Sequence, residues 1–248
     1  MPQFLIRKET VSGGKAVVEG DEAHHARDVL RLKAGDEIRL FDETGASYTG
    51  RIFASDKKRL TVEILQSRPA PEAPKVRAAL CQALLPRDAM EWVIEKAVEL
   101  GASEILPVEF ERGIVKLEGK KRGLKEDHWQ KHALAACKQS GRTRVPRVFG
   151  ITSPSDLVLA LDRTSDLLLL ADTRKTKAGL ESFLPPPAGV SRVLILIGPE
   201  GDFSDAEFDL FAKAGARSFS LGDTILRSET AALAALSITE HLLKETKS

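Results

Sequence analysis

Two strings in the second half of the chain carry the residue types that could hold a small ligand and act on something bound beside it. Val193–Gly201 reads Val-Leu-Ile-Leu-Ile-Gly-Pro-Glu-Gly, and Leu221–Ala231 reads Leu-Gly-Asp-Thr-Ile-Leu-Arg-Ser-Glu-Thr-Ala. The first is an apolar, β-branched run cut off by Gly-Pro, the pattern of a strand buried on both faces. Behind it comes a loop with few side chains in the way, then a helix opened by Ser204 with Glu207 three residues on, the spacing of a capping box. The second string repeats the design, with a strand near Ser218–Leu221, a glycine turn and a helix from Ser228. Open α/β sheets bind ligands where such loops leave the carboxyl ends of strands, so two of them this close predict one site. Within it Arg227 offers a fixed cation, and Glu200 and Glu229 offer carboxylates.

Other chemistries are disfavoured. Neither a Gly-x-Gly-x-x-Gly after a strand nor a Gly-x-x-x-x-Gly-Lys-Ser/Thr occurs, which argues against a dinucleotide dehydrogenase or a P-loop enzyme. His128 and His132 have helical i, i+4 spacing but lack a third ligand, so no metal is expected. The two cysteines, Cys81 and Cys137, are too few for a disulfide framework and read as buried free thiols. No apolar run approaches the ~20 residues of a membrane span, and Met1-Pro2-Gln3-Phe4 does not open a signal peptide. A cytoplasmic protein without membrane contact is expected.

Charge is uneven. The whole chain carries +1, yet Arg112–Arg147 holds eleven Lys and Arg against Glu118, Glu126 and Asp127, a net +8. Such a run suits a polyanion or is simply a solvated face. Gln139, Ser140 and Gly141 interrupt it with hydrogen-bonding and flexible residues. Lys138, Gln139, Arg142 and Arg144 are therefore RNA candidates, and Arg7, His25, Arg27 and Arg31 near the other end form a second group. His25 could equally be a packing residue. Trp92 and Trp129 lie on predicted helices and read as core or dimer-packing residues.

The elements that must position these residues fall into two sets. Ser67–Pro74 has three prolines in eight residues and reads as a linker. Before it, short alternating segments at Gln3–Arg7, Glu37–Phe41, Ser47–Phe53 and Arg59–Leu65 predict a small β barrel over residues 1–70. One helix interrupts it, capped by Asp21, carrying Val29 and Leu30, and ended by Gly35. After the linker, over 74–248, strands and helices alternate. Strands are predicted at Val76–Leu80, Ile105–Val108, Val148–Phe149, Asp166–Leu170 and Val193–Ile197. Helices are predicted from Pro86 to Gly101 and at Asp127–Gln139, Ser155–Leu161 and Ser228–Lys244. This alternation argues for a largely parallel sheet covered by helices, an α/β class.

Taken together, the motifs resemble the RsmE family, the 16S ribosomal RNA uracil-N3 methyltransferases of the SPOUT superfamily. The match includes His25-Ala26-Arg27-Asp28-Val29-Leu30-Arg31 with Gly35-Asp36, then Glu95-Lys96-Ala97-Val98-Glu99-Leu100-Gly101 with Pro107. It continues through Lys138-Gln139-Ser140-Gly141-Arg142 with Pro146, and ends in Gly198-Pro199-Glu200-Gly201 and Leu226-Arg227-Ser228-Glu229-Thr230-Ala231. One departure is Asp202, which stands where the family usually places a second glycine; it bears on the sharpness of that turn.

The resemblance implies a PUA-like RNA-binding barrel followed by a SPOUT α/β domain with a C-terminal trefoil knot. It implies S-adenosyl-L-methionine as cofactor, a homodimer, and 16S rRNA or the small ribosomal subunit as partner, methylated at N3 of one uridine, the 1498 position. The cofactor residues it implies are Leu170, Ala171, Ile197, Gly198, Pro199, Glu200, Gly201, Leu221, Gly222, Ile225, Leu226 and Ser228. A uracil N3 becomes a nucleophile only when its weakly acidic proton leaves, so the site must supply a base or stabilise the anion. Arg227 is the candidate for the anion, unless it pins the loop by a salt bridge to Glu229 or Glu200. Glu200 and Glu229 are candidate bases, or else acceptors for backbone amides. Gly198, Gly201 and Gly222 are expected to tolerate no side chain. A methyltransferase for another RNA or a ribose 2'-hydroxyl, and an RNA-binding homologue without catalysis, remain alternatives.

Overall fold

The computed structural model describes residues 1–56, 58–117, 119–174 and 176–245, with backbone alone at 120, 121 and 245. The chain forms two compact units, Met1–Ala73 with Ala135–Val145, and Pro74–Leu134 with Pro146–Ser248.

In the first unit, strands β1 (Gln3–Ile6), β2 (Val11–Ser12), β3 (Lys15–Glu19), β4 (Glu37–Asp42), β5 (Ser47–Ser55) and β6 (Arg59–Arg68) form one sheet in the order β1-β4-β5-β6-β3-β2. β1 and β4 are parallel and the other pairs antiparallel. Strict alternation sends Phe4, Ile6, Ala16, Val18, Ile38, Leu40, Leu60 and Val62 to one face, where they form the core. The sheet curls over that core until β1 approaches β3, so the expected barrel is realised as a half-barrel. Gly50 sits at a bulge, and a Cβ there would stand 2.5 Å from Val62 and 2.6 Å from the Glu63 carbonyl. Only glycine permits that approach.

The expected helix ending at Gly35 is shorter. Helix α1 (Gly20–His24) runs into a single π turn at His25–Val29, and the chain leaves through Arg31 at φ 57°. Its buried residues are Ala23 and Ala26, whereas Val29 and Leu30 are 59% and 42% exposed. The apolar pair at its end therefore does not anchor it. Two alanines supply too narrow a face to hold further turns.

The second unit contains β7 (Arg77–Ala83), α2 (Arg87–Leu100), β8 (Glu104–Val108), α3 (Lys120–Ser140), β9 (Arg147–Val148), α4 (Pro154–Leu159), β10 (Asp166–Ala171), β11 (Arg192–Ile197), α5 (Asp205–Lys213), β12 (Arg217–Phe219) and α6 (Ser228–Glu245). The last part of α3 belongs to the first unit. All six strands are parallel, in the order β12-β10-β11-β7-β8-β9. Leu167–Leu170 and Val193–Ile197 are buried, as runs lined on both faces must be. On one side α6 packs on α2, β7 and β11. On the other, Phe110, Phe203 and Phe211 meet edge to face, with ring centroids 5.0–6.3 Å apart.

Trp129 is core at 3% exposed, and Trp92 is 44% exposed. Of the apolar residues of α6, Leu236 is fully buried within its own chain, while Ile238 is 40% exposed. The histidines of α3 face carboxylates of α2, His128 to Glu91 at 2.9 Å and His132 to Glu95 at 3.8 Å. No group of three or more metal-ligating side chains occurs among the described residues, and none of their helices is long and apolar enough to cross a membrane. Both cysteines are buried and free; burial pushes the Cys137 thiol up to about 11 and the Cys81 thiol further.

Candidate active site at the carboxyl end of the parallel sheet

Three loops leave the carboxyl ends of β10, β11 and β12 side by side. Between them lies a cleft of about 680 Å³, walled by Ala171, Ile197, Ala231 and the segments Gly198–Phe203 and Ile225–Ser228. A narrower pocket of about 80 Å³ adjoins it under Phe219–Leu226. Of the residues assigned to cofactor binding, Ala171, Ile197, Gly198, Pro199, Glu200, Gly201, Leu221, Gly222, Ile225, Leu226 and Ser228 line one or both. Leu170 does not; it is 2% exposed and packs in the core beneath.

One hydroxyl ties the cleft together. Ser228, the first residue of α6, donates from Oγ to the Gly198 carbonyl at 2.7 Å and accepts from Gln82 Nε2 at 2.9 Å. Gln82 lies in β7 beside Ile197, is fully buried, and donates also to the Ala83 carbonyl at 3.2 Å. Its Oε1 has no partner among the described residues. The end of β7, the Gly-Pro-Glu-Gly loop and the start of α6 are thus held at fixed spacing. Sequence reading missed Gln82, and the one available signal was an amide inside an otherwise apolar strand.

The Gly-Pro-Glu-Gly loop is gripped from a second side. Asp202 N–H donates to the Pro199 carbonyl at 3.0 Å, closing a four-residue turn. Asp202 adopts φ 60°, the left-handed region that favours glycine. Its own carboxylate stabilises that conformation, accepting from the Phe203 amide at 2.8 Å and from Thr173 Oγ1 at 3.2 Å. An aspartate can occupy this region through such local hydrogen bonds, so the turn keeps the shape a glycine would give it. Arg112 donates to the Phe203 carbonyl at 3.2 Å, and Glu207 accepts from the Glu111 and Ser204 amides, both at 2.8 Å. The Ser204–Glu207 capping box is complete. Arg174 pairs with Asp205 at 2.8 Å and lies over the Phe208 ring.

The three site glycines are constrained for different reasons. Gly222 has φ +118° with open space around it. Gly198 and Gly201 are not in the left-handed region; a Cβ would meet the Phe203 ring at 3.0 Å and the Arg112 backbone and Cβ at 3.2 Å, respectively. What limits residue 201 is thus the loop beneath it.

Arg227 and Glu200 are both exposed cleft-lining residues, and neither makes an ion pair among the described residues. The alternative of a pinning salt bridge from Arg227 to Glu229 or Glu200 does not occur. Glu229 is not part of the cleft wall. It occupies the first turn of α6, where a carboxylate complements the helix dipole.

The motif of the "RNA methyltransferase domain" family matches residues 71–240 of this chain, the whole of the parallel-sheet region and its cleft. The chain belongs to that family. The "RNA methyltransferase PUA domain" matches residues 18–65. Among relatives, ribosomal RNA small subunit methyltransferase E of Bacillus subtilis is 31% identical over 89% of this chain and 87% of its own length. The Neisseria gonorrhoeae protein of the same name, solved bound to S-adenosyl methionine, superposes with a TM-score of 0.85 at 29% identity over 98% of each chain. A Legionella pneumophila methyltransferase solved with SAM gives 0.86 at 29% identity over 96% of each. The chain is thus an RNA methyltransferase of the RsmE family, with a PUA-like half-barrel ahead of a parallel α/β sheet.

In this RNA methyltransferase several of the predicted RNA residues have partners within the chain. Arg27 holds Asp28 and donates to the Asp56 carbonyl at 3.0 Å; the Asp28 carboxyl, hydrogen-bonded by that guanidinium, is lowered to about 2. Lys138 pairs with Glu22 at 2.7 Å, and Arg144 donates to the Pro71 carbonyl at 2.6 Å. Arg142 is partly buried, Gln139 is exposed, Arg7 lies 3.7 Å from Glu9, and the His25 ring stands edge-on to Phe4. Part of the basic run is structural: Lys116 donates to the Phe110 carbonyl at 2.6 Å, and Arg122 to Glu109 at 2.9 Å and to the Ile151 carbonyl at 3.1 Å. Glu118 and the side chains of Lys120 and Lys121 lie outside the described residues.

Proposed function

We propose that this chain methylates N3 of uridine 1498 in 16S rRNA of the small ribosomal subunit, using S-adenosyl-L-methionine, as a cytoplasmic homodimer with a trefoil-knotted C-terminal region. In this reading residues 1–70 bind RNA, and residues 74–248 bind the cofactor and dimerise. The observation that carries it is a cleft walled by side-chain-poor loops, with the unpaired Arg227 and Glu200 on its wall. The names of the relatives, ribosomal RNA small subunit methyltransferases, support the substrate class.

The residues fit the cofactor. Ala171, Ile197, Leu226 and Ala231 give apolar walls for a planar base, and the adjoining loop exposes backbone amides and carbonyls to read its edge. Gly222 keeps that loop free of a Cβ. When bound, S-adenosyl-L-methionine supplies an electrophilic methyl group on a sulfonium. The protein's task is then to hold the uracil N3 in line and to manage its proton. Arg227 stabilises the negative charge that spreads over the base as N3 loses that proton, and because it is not neutralised by a carboxylate its full charge is available. Glu200 is a cleft-lining carboxylate that can accept the proton; Glu229, the other candidate, does not line the cleft. N3 lies on the pairing edge, so the base enters unpaired.

Mapping modified uridines in 16S rRNA from a strain lacking this gene, and again after complementation, tests the reading. Loss and return of one N3-methyluridine is expected. Loss of a ribose methyl or of a tRNA modification instead would overturn it. Titration calorimetry with S-adenosyl-L-methionine should show binding; its absence would leave a protein without this catalysis.

A further inference from the structure

The first unit contains a groove that the predicted RNA residues do not explain. It has a volume of about 530 Å³ and lies across β4, β5 and β6, closed at one side by the chain around Pro69–Pro71 and Gly141–Thr143. Its lining holds two arginines, Arg39 and Arg68, several uncharged hydrogen-bonding side chains, and no carboxylate. In a chain with 36 acidic residues against 37 basic ones, that selection is a chemical signature.

The sheet register builds it. Arg39 pairs with Thr49 and Thr49 with Gln66, so three polar side chains stand abreast on three adjacent strands. Ile38 and Leu40 on either side of Arg39 face the core, which sends Arg39 to the opposite face. Ser47 pairs with Arg68 one step along the same strands. Beneath them Asp42, 1% exposed, accepts from Thr44, from the Ala46 amide at 3.1 Å and from the Tyr48 hydroxyl at 2.9 Å. That hub fixes the β4–β5 turn and one wall of the groove.

Gly141 explains a motif that the cofactor site leaves unused. At φ +80°, it ends α3 and places its Cα beside the Arg39 guanidinium; a Cβ there would be 3.7 Å from Nη1. The Lys138–Arg142 string thus contributes a tight backbone turn to the groove, while its Lys138 is committed to Glu22. Arg39 spends one N–H on the Met1 carbonyl at 3.3 Å, and Arg68 makes no ion pair among the described residues. A guanidinium has five N–H donors, so Arg39 keeps donors beyond the one given to Met1, and both side chains can engage phosphate.

Building on the reading that this unit binds RNA, we propose that the groove is where it does so. It holds a nucleotide of a single-stranded segment, with the flanking phosphates at Arg39 and Arg68 and the nucleotide's polar edges toward Thr49 and Gln66. The volume falls in the range of about 300–1,000 Å³ typical of small-ligand sites, enough for one nucleotide. A duplex, whose phosphates are held on a wide convex surface, does not enter such a concavity.

The test compares the full-length wild type with two double variants, Arg39→Gln with Arg68→Gln, and Arg27→Gln with Lys138→Gln. Binding of a labelled single-stranded 20-nucleotide RNA of mixed sequence is measured by fluorescence anisotropy from low to high salt. Two lost phosphate contacts should flatten the slope of log Kd against log salt by about 1.4, at roughly 0.7 per contact for single strands. The Arg27/Lys138 pair should leave the slope within about 0.3 of wild type, because those charges are already neutralised. A duplex of the same sequence should show no slope change with the Arg39/Arg68 pair. Circular dichroism and S-adenosyl-L-methionine affinity, both unchanged, show that the fold is intact. A wild-type slope in the Arg39/Arg68 variant, or an equal loss on duplex RNA, overturns the groove assignment alone. A wild type that binds the RNA without salt dependence overturns both it and the RNA-binding reading beneath it.

Discussion

The two ends of the parallel sheet are built on opposite plans. At the amino end Arg192 donates to Asp166 at 2.8 Å and to Glu104 at 3.0 Å, and Arg77 reaches Glu104 at 3.0 Å. Asp166 starts β10, Arg192 starts β11, Arg77 starts β7 and Glu104 starts β8, so one charge network staples four strands in register. The Asp166 carboxylate holds the Arg192 guanidinium well above its ordinary pKa, outweighing burial. Within that network each charge faces an opposite one. At the carboxyl end the cleft walls are loop backbone and mostly uncharged side chains, and Arg227 and Glu200 make no ion pair among the described residues. A sheet that settles its electrostatics at one end can leave charges available for chemistry at the other.

That contrast can be broken from either side. The largest effect is expected from Arg227→Ala, which should lower kcat by about 10²–10³-fold, the loss typical of a removed transition-state donor. Its thermal midpoint should stay near wild type. Single-turnover methylation with differential scanning calorimetry checks both, and a variant that unfolds early would make Arg227 structural. Arg192→Ala should do the reverse. It strands Asp166, 3% exposed at its side chain, and should cost about 3 kcal/mol of stability in urea titration while the rate per folded molecule holds.

Ser228→Ala sharpens the comparison at the junction of stability and function. It leaves the Gly198 carbonyl and the Gln82 amide without their partner, a loss of about 1–3 kcal/mol. We expect weaker cofactor binding by calorimetry together with modest destabilisation; Gln82→Leu should follow the same pattern. Cofactor affinity unchanged in both would mean that the hydroxyl only packs the helix. The smallest effect belongs to Asp202→Gly. Relief of a non-glycine residue at φ 60° opposes the loss of the Phe203 and Thr173 hydrogen bonds, and stability should move by less than about 1 kcal/mol. A larger loss, seen in urea titration, would show that the Asp202 carboxylate anchors the loop to Thr173.

How much of this was legible in the sequence depended on whether the signal was local. The buried strands β10 and β11, the Ser204–Glu207 capping box and the start of α6 at Ser228 are set by neighbours within a few residues, and were read correctly. β3 was missed because Lys15–Glu19 is short and charged at both ends; its local partner β2 has only two residues, and its longer partner is β6, over forty residues on. The helix after Asp21 was overextended because Val29 and Leu30 look like core residues, whereas the fold exposes both. Helix α3 starts at Lys120, ahead of the expected Asp127, because Lys and Arg are good helix formers even without apolar spacing. In the site, the glycine loops announced themselves. Gln82 and Arg112 did not, since each acts on a segment about ninety or more residues away. How the charge run is partnered was not legible for a related reason: composition counts cations but not the carbonyls and carboxylates that bind some of them.

The Gln82–Ser228–Gly198 chain also sets a schedule. Gln82 and Ser228 are 146 positions apart, and Ser228 and Gly198 are 30 apart. During synthesis the chain is made amino end first, so β7 and then the Gly-Pro-Glu-Gly loop exist before the hydroxyl that joins them. Until α6 docks, those segments are joined by the β7–β11 pairing but lack the Ser228 hydroxyl between them. The cleft is therefore finished last, after nine-tenths of the protein has been made. A chain truncated just short of Ser228 would carry most of the cleft-lining residues but not the hydroxyl that links Gln82 to the Gly198 carbonyl.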